Sequence, residues 1–451
     1  MGKYDLVVRG GKVYLPNGPV DRLNIGIIEG KITTLTSESI TGKEEIDAHN
    51  CHVIPGAIDS HMHCWRGSDF EDMGNASHAA VKGGITTFID MPVDRPIPCT
   101  PQILKEKIDE GQKDSLVDFA LYGGFGFDGL KEFSRMLEEP VVGFKIFMDN
   151  TPPVGKYPGF DTGETLEALS MIAKSKKIAS IHCEDSFIID RLVKKMQTEC
   201  RRDSLSFAET RPPVSEYAGI MRALALIEHT GCTTVIAHVS IPEGVDAVGR
   251  CRASGIPVYA ETAPHYLLLT LENLKRDVRL KFKPPNRDSN RVESLWRQLR
   301  QGSLNLIGSD HAPLPKNTEL NIWDINGGVG NMIELMLPLV ASEAICKRQF
   351  NLEQIVQIMC ENPARIFGLY PRKGCIQPSA DADLVVLNPN SGYKVHANDL
   401  SMRVDPYSPF EGWEIVFRPE KVIVGGCLVV NEAKIVDEVH RGQFIPPGRI
   451  S

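Results

Sequence analysis

The sequence predicts an α/β fold, a (β/α)8 TIM barrel joined to a small β-sandwich-like module that is built from both termini. Two observations lead to this prediction. Over roughly 300 central residues, short apolar runs of strand character alternate with longer amphipathic segments. Both ends of the chain carry short strand-like runs separated by glycine and Asn-Gly turns. Eight strand–helix units match the usual size of such a barrel, about 250 residues before insertions.

Eight segments of the central region are predicted to be the barrel strands. In order they read GAIDSHMH, TTFIDMP, DFALYGG, VGFKIFM, IASIHCE, TTVIAHVS, PVYAETAPHY and NLIGSD. Between them, segments such as GETLEALSMIAKSKK place apolar residues three and four positions apart, which is helical spacing. A doubly wound open sheet is the alternative. That fold would carry a glycine-rich phosphate turn after its first strand, and the sequence has none there.

The predicted domains follow from these segments. The terminal β-module is formed by residues 1–54 and 375–451, which contain runs such as YDLVVRGGKVYL and DADLVVLNP. Residues 55–374 form the barrel. The stretch NTPPVGKYPGF, residues 150–160, is rich in proline and glycine and is predicted to be an active-site loop.

Composition and charge exclude several classes of partner. The chain has 451 residues, of which 42% are hydrophobic and 24% charged, and its net charge is −8. Nucleic acids and anionic membranes require a basic face, so neither is expected as a partner. No stretch approaches transmembrane length, and the N-terminus lacks the apolar region of a signal peptide. The eleven cysteines show no CxxC spacing, so we expect reduced thiols and a cytoplasmic protein.

Polar residues recur near the carboxyl ends of the predicted strands. Barrel strands are buried on both faces, and a polar side chain there is costly unless it is paired. His-x-His alone is weak evidence, because two histidines on one strand face can also lie at the surface. The full set lies at the rim where barrel active sites are found, and it predicts a metal site. Its members are His61, His63, Lys145, His182, His238 and Asp310.

The residue types in this set indicate two metal ions. Imidazoles and a carboxylate suit Zn²⁺ or a similar divalent ion. A buried lysine has a lowered pKa and becomes a nucleophilic amine, so Lys145 could take up CO2. The resulting carbamate would bridge two metals as a carboxylate does. The alternative, an ion pair between Lys145 and Asp310, leaves the four histidines unexplained.

Several segments resemble the motifs of the cyclic amidohydrolases of the amidohydrolase superfamily, the group of hydantoinases, allantoinases, dihydropyrimidinases and dihydroorotases. They are VIPGAIDSHMH, GFKIFM, SIHCE, IAHVS, ETAPHYL and GSDHAP, and the resemblance extends over nearly the whole chain. It implies that His61, His63 and Asp310 hold one metal ion. It implies that His182 and His238 hold the second and that carbamylated Lys145 bridges the two.

The resemblance also implies a reaction. A hydroxide shared by the two metals attacks the amide carbonyl of a ring. Asp310, the catalytic general base, takes the hydroxide proton and passes it to the leaving ring nitrogen. The substrate is a small cyclic ureide or imide, and the resemblance suggests a homo-oligomer, most commonly a tetramer.

Departures from the family pattern narrow the substrate. Dihydroorotases carry an arginine two residues after the second metal histidine, where this chain has Trp65. Dihydropyrimidinases and D-selective hydantoinases carry a tyrosine five residues after the bridging lysine, where this chain has Asn150. VDFALYGG and ARIFGLYP resemble the L-selective hydantoinases, whereas GGITTFIDMP and AHVSIPEGV resemble allantoinases. The predicted activity is therefore that of a hydantoinase, which converts a 5-substituted hydantoin to an N-carbamoyl amino acid. Allantoinase is the alternative, and dihydropyrimidinase ranks below both.

Four residues are predicted to contact the substrate. Asn326 stands where relatives contact the ring imide, although an Asn-Gly turn would explain it equally well. Trp65 would form an apolar wall or be ordinary packing. Asn150 replaces the tyrosine that polarises the carbonyl, and His311 would orient the substrate or the general base.

Two other classes of protein share this scaffold. Mononuclear deaminases typically lack the bridging lysine, so Lys145 within GFKIFM argues against them. Non-catalytic assembly proteins, such as the collapsin response mediator proteins, have lost metal ligands. In this chain all six ligand positions hold competent residues, which favours an enzyme.

Overall fold

The structure is a computed structural model that describes residues 3–448 apart from 128, 131, 149–156, 402 and 405. The first part of the chain forms five strands. They are β1 (Tyr4–Leu15), β2 (Gly18–Ile28), β3 (Lys31–Thr36), β4 (Gly42–Asp47) and β5 (His52–Pro55). Strand β1 pairs with β2 in antiparallel and with β4 and β5 in parallel orientation.

The next eight strands form the barrel and pair in parallel, each with the strand that follows it in the chain. They are β6 (Ala57–Met62), β7 (Ile85–Asp90), β8 (Asp118–Gly123), β9 (Gly143–Phe147), β10 (Ile178–His182), β11 (Thr234–Ile236), β12 (Val258–Thr262) and β13 (Leu306–Ile307). The ring closes just beyond β13, where the Asp310 backbone N–H donates to the His61 carbonyl at 2.8 Å. The His63 backbone N–H donates to the His311 carbonyl at 2.9 Å.

The last strands return to the N-terminal sheet. They are β14 (Leu384–Asn388), β15 (Tyr393–Lys394), β16 (Glu414–Ile415), β17 (Arg418–Val424), β18 (Cys427–Asn431) and β19 (Lys434–Ile435). Strand β14 pairs with β5 in antiparallel orientation, with Leu384 opposite Pro55. One mixed sheet therefore contains strands from both ends of the chain, and β15 pairs with β16 as a separate ribbon. The predicted fold class is confirmed, whereas the predicted domain limits stay a prediction.

Helices cover the outside of the barrel and the loops at its rim. They are α1 (Met73–Lys82), α2 (Pro101–Asp114), α3 (Phe133–Met136), α4 (Thr162–Ser175), α5 (Ser186–Thr198), α6 (Ser204–Thr210), α7 (Pro213–Thr230), α8 (Pro242–Ala253), α9 (Pro264–Leu268), α10 (Leu271–Arg276), α11 (Ser289–Arg300), α12 (Met336–Lys347), α13 (Leu352–Val356) and α14 (Asn362–Ile366). Short 3₁₀ turns occur at Val278–Leu280 and Ala397–Asp399, and a π-helical turn at Gln357–Glu361 joins α13 to α14. Within the described residues, every helix is too short or too polar to span a bilayer.

Helix boundaries follow local sequence signals. Helix α4 begins after Asp161, whose side chain accepts from the Glu164 backbone N–H, while the Glu164 side chain accepts from the Asp161 backbone N–H. This reciprocal capping box satisfies two backbone donors that the first turn would otherwise leave unpaired. Helix α7 ends at Gly231, which adopts a left-handed φ of 66°, a conformation that costs glycine little.

Each predicted barrel segment extends past the end of the strand in the structure, and two of them show the reason. The segment PVYAETAPHY ends as a strand at Thr262, because Pro264 starts helix α9. The last strand has only two paired residues, Leu306 and Ile307. Beyond them the chain bends toward β6, where the Asp59 carboxylate accepts from the Ser309 backbone N–H at 2.9 Å.

A buried charge cluster ties the barrel to the terminal sheet. Lys373 forms ion pairs with Asp118 at the start of β8 and with Asp383 just before β14. Its ammonium also lies 2.9 Å from Asp381. The Gln443 backbone N–H, from the C-terminal segment, donates to Asp118 at 2.6 Å. Three parts of the chain therefore meet at one buried ammonium group.

Candidate metal centre

One pocket at the carboxyl rim of the barrel brings together all six predicted metal ligands. It contains about 690 Å³ of space that protein atoms do not fill, counting its open mouth. The described residues that line it are His61, His63, Trp65, Lys145, Phe147, His182, His238, Phe282, Lys283, Asp310, Ala312, Leu314, Gly327, Gly328 and Val329. The ligand candidates come from β6, β9 and β10 and from the residues that follow β11 and β13. The shared rim position is therefore what brings together residues that lie far apart in the sequence.

Three of these side chains form a group with the spacing of metal ligands. The Nε2 atoms of His61 and His63 each lie 3.4 Å from Oδ1 of Asp310. Zinc bonds to nitrogen and oxygen are about 2.0–2.1 Å long, so neighbouring ligand atoms of a tetrahedral site are separated by roughly 3.3 Å. The three side chains thus have the geometry of ligands to one ion.

The second pair has similar spacing. Nδ1 of His182 lies 3.1 Å from Nε2 of His238. The His238 ring also lies close to the first group, with its centre 5.2 Å from the centre of the His61 ring. The pocket therefore offers two neighbouring sets of donor atoms, one with a carboxylate and one without.

Lys145 lies fully buried within the same pocket. Its Nζ atom has no hydrogen-bond partner among the residues that the structure describes. Burial lowers the pKa of Lys145 to about 8, and the charges of Glu261 and Asp310 limit the shift. A buried amine that is partly neutral near physiological pH and lacks a partner fits the predicted uptake of CO2.

Three of the proposed ligands, His63, His238 and Asp310, are in protonation states that suit metal binding. Burial lowers the pKa of His63 and takes the pKa of His238 well below the ordinary value, so both rings are neutral. Burial opposes the ionisation of Asp310, but the hydrogen bond with His63 and the electrostatic effects of His61 and His238 together outweigh it and hold the pKa of the carboxyl below its usual range. Neutral imidazoles and an ionised carboxylate are the forms that coordinate divalent ions.

The backbone at the rim is strained at functional positions. Trp65, His238 and Asp310 adopt φ angles of 49°, 40° and 51°. This left-handed conformation costs a non-glycine residue about 1–2 kcal/mol, and such strain concentrates at functional sites. Gly308 allows the loop before Asp310 to approach β6, because a Cβ atom at this position would lie 2.6 Å from Cβ of His61.

Two buried glutamates that the sequence analysis did not single out contact the histidines. Nδ1 of His61 lies 2.7 Å from Oε1 of Glu261, and Nε2 of His182 lies 3.0 Å from Oε2 of Glu184. Burial opposes the ionisation of Glu184, but the Arg211 charge, the contact with His182 and the Arg287 charge together outweigh it and lower the pKa of Glu184 to about 2. The available signal was a glutamate near the end of each of two predicted barrel strands, in SIHCE and PVYAETAPHY.

The outer wall of the pocket is largely apolar. Trp65 stacks on His63 with ring centres 5.2 Å apart, and Phe147, Phe282, Leu314 and Val329 continue the wall. The loop that carries Gly327 and Gly328 is held from behind by lysines. Lys281 donates to the Ile325 carbonyl at 2.7 Å, and Lys316 donates to the Gly328 carbonyl at 2.7 Å.

The four predicted substrate contacts occupy different positions. Trp65 lines the pocket. The Asn326 side chain instead donates to the Pro315 carbonyl at 2.8 Å, and the neighbouring glycines line the pocket. His311 is buried behind the ligands, with Nε2 lying 3.3 Å from Glu71. Asn150 lies outside the described residues. Contact of these residues with a substrate stays a prediction.

The barrel with its ligand-like cluster at the carboxyl rim defines a class, the barrel enzymes whose chemistry takes place among the loops at this end. Comparison with known proteins specifies the family. Residues 52–429 match the family model described as the amidohydrolase family. The chain therefore belongs to the amidohydrolase family, as its motifs predicted.

Similar proteins cover almost the full chain. An L-hydantoinase of Paenarthrobacter aurescens is 31% identical over 98% of both chains. An allantoinase of Bacillus licheniformis is 30% identical over 98% of this chain and 100% of its own. Among solved structures, an L-hydantoinase (dihydropyrimidinase) from Arthrobacter aurescens superposes with a TM-score of 0.93 at 31% identity, over 98% of this chain and 100% of that one.

Proposed function

We propose that this protein is a binuclear-metal hydrolase that opens the ring amide of a cyclic ureide, and that its substrate is a 5-substituted hydantoin. The observation that carries the proposal is the meeting of four histidines, Lys145 and Asp310 in one pocket with the spacing of metal ligands. The similarity to hydantoinases over the full length of the chain supports it. The product would be an N-carbamoyl amino acid.

The proposed centre holds two divalent ions, for which Zn²⁺ is best suited. His61, His63 and Asp310 would hold one ion, His182 and His238 the other, and Lys145 would bridge them as its carbamate. Two ions held in this way lower the pKa of a bound water and polarise the carbonyl of the ring amide. The buried Lys145 amine, with a pKa of about 8, supports the carbamate because its neutral form is the one that reacts with CO2.

Asp310 is the proposed general base. Its carboxylate is ionised and lies beside both His61 and His63, so it can take a proton from the attacking water. It then gives that proton to the ring nitrogen as the carbon–nitrogen bond breaks. The left-handed backbone at Asp310 helps to aim the carboxylate into the pocket. The apolar wall of Trp65, Phe147 and Phe282 limits the water around the ring and receives its 5-substituent.

Allantoin is the second candidate substrate. Allantoinases are as similar to this chain as the hydantoinase is, with identities of 30% to 32% over nearly the full length. Allantoin also contains a hydantoin ring, so the same ring amide would be opened. Its 5-substituent is a polar ureido group, whereas the described wall of this pocket is largely apolar, which favours a hydantoin with an apolar substituent.

The proposal also includes the cellular compartment and the oligomeric state of the enzyme. We propose that it acts in the cytoplasm, where its eleven cysteines stay reduced. We propose a homotetramer, on the resemblance to the family alone. The small-molecule substrate reaches the centre through the open mouth of the pocket.

Hydrolysis assays of the zinc-loaded protein test the function. The substrates are allantoin, dihydrouracil, dihydroorotate and 5-substituted hydantoins of both hands, each assayed also with Lys145→Ala. We expect ring opening of one hydantoin enantiomer, absent in the variant. Ring opening of allantoin alone would replace the hydantoin proposal with the second candidate. Protein that binds no metal and opens no ring would overturn the catalytic proposal as a whole.

A further inference from the structure

Each proposed metal position has one histidine backed by a buried carboxylate. On the first position, Glu261 accepts from Nδ1–H of His61 at 2.7 Å, and this leaves the Nε2 lone pair facing Asp310. On the second, Glu184 accepts from Nε2–H of His182 at 3.0 Å, and this leaves the Nδ1 lone pair facing His238. A carboxylate in this position fixes the tautomer of the ring and makes the ring a stronger donor to a metal.

The other two histidines lack such support. Nδ1 of His63 and Nδ1 of His238 have no hydrogen-bond partner in the part of the chain that the structure describes. The donor strength of the centre therefore depends on two rings, one at each position. Glu261 and Glu184 each control one of them.

The two glutamates differ in their other partners. The second oxygen of Glu261 accepts from the Ser60 hydroxyl at 2.6 Å, and this neutral partner brings no positive charge to the carboxylate. Glu184 forms a buried ion pair with Arg211, and that cation offsets its charge. Because a neutralised carboxylate polarises an imidazole less, His61 is the more strongly supported donor.

The protein ligands add to this difference. The first position also includes the Asp310 carboxylate, whereas the second offers the imidazole rings of His182 and His238. A divalent cation gains more from an anionic ligand than from a neutral one in a buried site. The supporting carboxylates and the ligands themselves therefore both favour tighter binding of the ion beside Asp310.

We propose that Glu261 and Glu184 are positioning residues that act through His61 and His182 and make the two metal positions unequal, so that the ion beside Asp310 is held more tightly. The inference rests on the proposed binuclear centre. The ion held by His182 and His238 should therefore be lost first. The ion beside Asp310 should be lost second, and Glu261 should determine how tightly that ion is held.

Competition with a chelator tests the inference independently of catalysis. Zinc-loaded protein is dialysed against increasing chelator concentrations, and the metal content per chain is measured by atomic emission. We expect two separate steps for the wild-type protein. Glu184→Gln should shift only the first step and Glu261→Gln only the second, each by about tenfold to a hundredfold in affinity. Glu216→Gln is the matched control, because Glu216 is also buried but contacts Ser240 and Arg287 instead of a histidine.

A thermal unfolding curve for each variant identifies loss of fold. If Glu261→Gln does not fold, Ser60→Ala provides a second variant, because it removes the hydrogen bond that positions Glu261 against His61. It should weaken the second step by a smaller amount than Glu261→Gln would. If folded Glu261→Gln and Glu184→Gln lose their metal ions in the same two steps as the wild-type protein, this inference is overturned. The proposed binuclear centre would not be affected by that result. Wild-type protein that holds no metal would overturn the proposed centre itself.

Discussion

Nδ1 of His182 faces Nε2 of His238 across 3.1 Å, although the two residues are 56 positions apart in the sequence. Each ring is aimed by its own strand, His182 from the end of β10 and His238 from just beyond β11. Two imidazole rings whose nitrogen atoms converge in this way could share one ion between them. The pair accounts for half of the proposed metal-binding histidines.

His238→Ala should therefore remove one metal ion per chain. The second ion would keep only His182 and its share of the proposed Lys145 carbamate, too few ligands to hold it against water, whereas His61, His63 and Asp310 remain to hold the first. We expect a metal content near one per chain by atomic emission. We also expect a loss of activity of at least about a hundredfold, because the carbonyl loses one of its two polarising ions. Two ions per chain in the variant would contradict the assignment of His238.

Asp310→Asn should abolish proton transfer while keeping the backbone intact. Asparagine tolerates the left-handed φ of 51° found here better than most residues, so the loop should fold normally. We expect kcat to fall by about a hundredfold to ten-thousandfold, the usual contribution of a general base. Steady-state kinetics at saturating substrate measure this fall, and the metal content of the same sample serves as the control. A variant with full metal content and unchanged kcat would exclude Asp310 as the base.

Lys107→Met should destabilise the wall behind the pocket. The buried Lys107 ammonium lies 2.5 Å from both Asp90 and Asp94, whose other oxygens accept from the backbone N–H groups that flank Trp65. Removing the ammonium leaves two buried carboxylates uncompensated, so we expect a loss of about 3–5 kcal/mol in the free energy of unfolding.

Urea denaturation compares Lys107→Met with Lys105→Met, a variant on the same helix. Lys105 forms an exposed ion pair with Asp109, which should contribute at most about 1 kcal/mol. Equal losses in the two variants would show that the buried cluster adds nothing beyond an ordinary surface pair.

His265 should make stability depend on pH. Its ring is fully buried against Tyr266 and Phe282, both ring nitrogens lack partners among the described residues, and burial lowers its pKa to about 4. The unfolded chain binds a proton near pH 6.5 and the folded one only near pH 4. Stability that is present above pH 6.5 is therefore lost as the pH falls toward 4, by about 2 kcal/mol between pH 7 and pH 5.

The substitution His265→Phe removes the side chain that takes up this proton. Urea denaturation at pH 7 and at pH 5 should show a smaller difference in unfolding free energy for this variant than for the wild-type protein. The exposed His229 supplies the control, because His229→Phe should leave the difference unchanged. An unchanged difference in His265→Phe would exclude His265 as the group responsible.

Among hydantoins with polar 5-substituents, Lys283 should favour those whose substituent carries a negative charge. Outside the six proposed ligands, it is the one charged side chain among the described residues that line the pocket. We expect Lys283→Met to lower kcat/KM by about tenfold for the hydantoin derived from glutamate, since a partly solvated charge pair contributes about 1.4 kcal/mol. The hydantoin derived from glutamine has the same shape without the charge and should be affected little. Equal losses of kcat/KM for both substrates would indicate that Lys283 determines the shape of the pocket and does not interact with the charge of the substrate.

The sequence was sufficient to predict the barrel and the six proposed ligands for a local reason. Each ligand is a polar residue at or near the end of an apolar strand, and the fold places all such ends at one rim. Contacts between remote segments were not predictable in this way. Glu261 meets His61 from 200 residues away, and nothing local to ETAPHY specifies that partner. The orientation of Asn326 likewise depends on Lys316 and Pro315, which hold its loop from outside the motif.

The pairing of β14 with β5 has a consequence for synthesis. Strand β5 leaves the ribosome about 330 residues before β14, which at roughly 5–20 residues per second is a delay of about 15–65 s. During that time one edge of the N-terminal sheet is unpaired and able to bind other nascent chains. We therefore expect the first strands to need protection by a chaperone, or to dock slowly, until the last part of the chain has emerged.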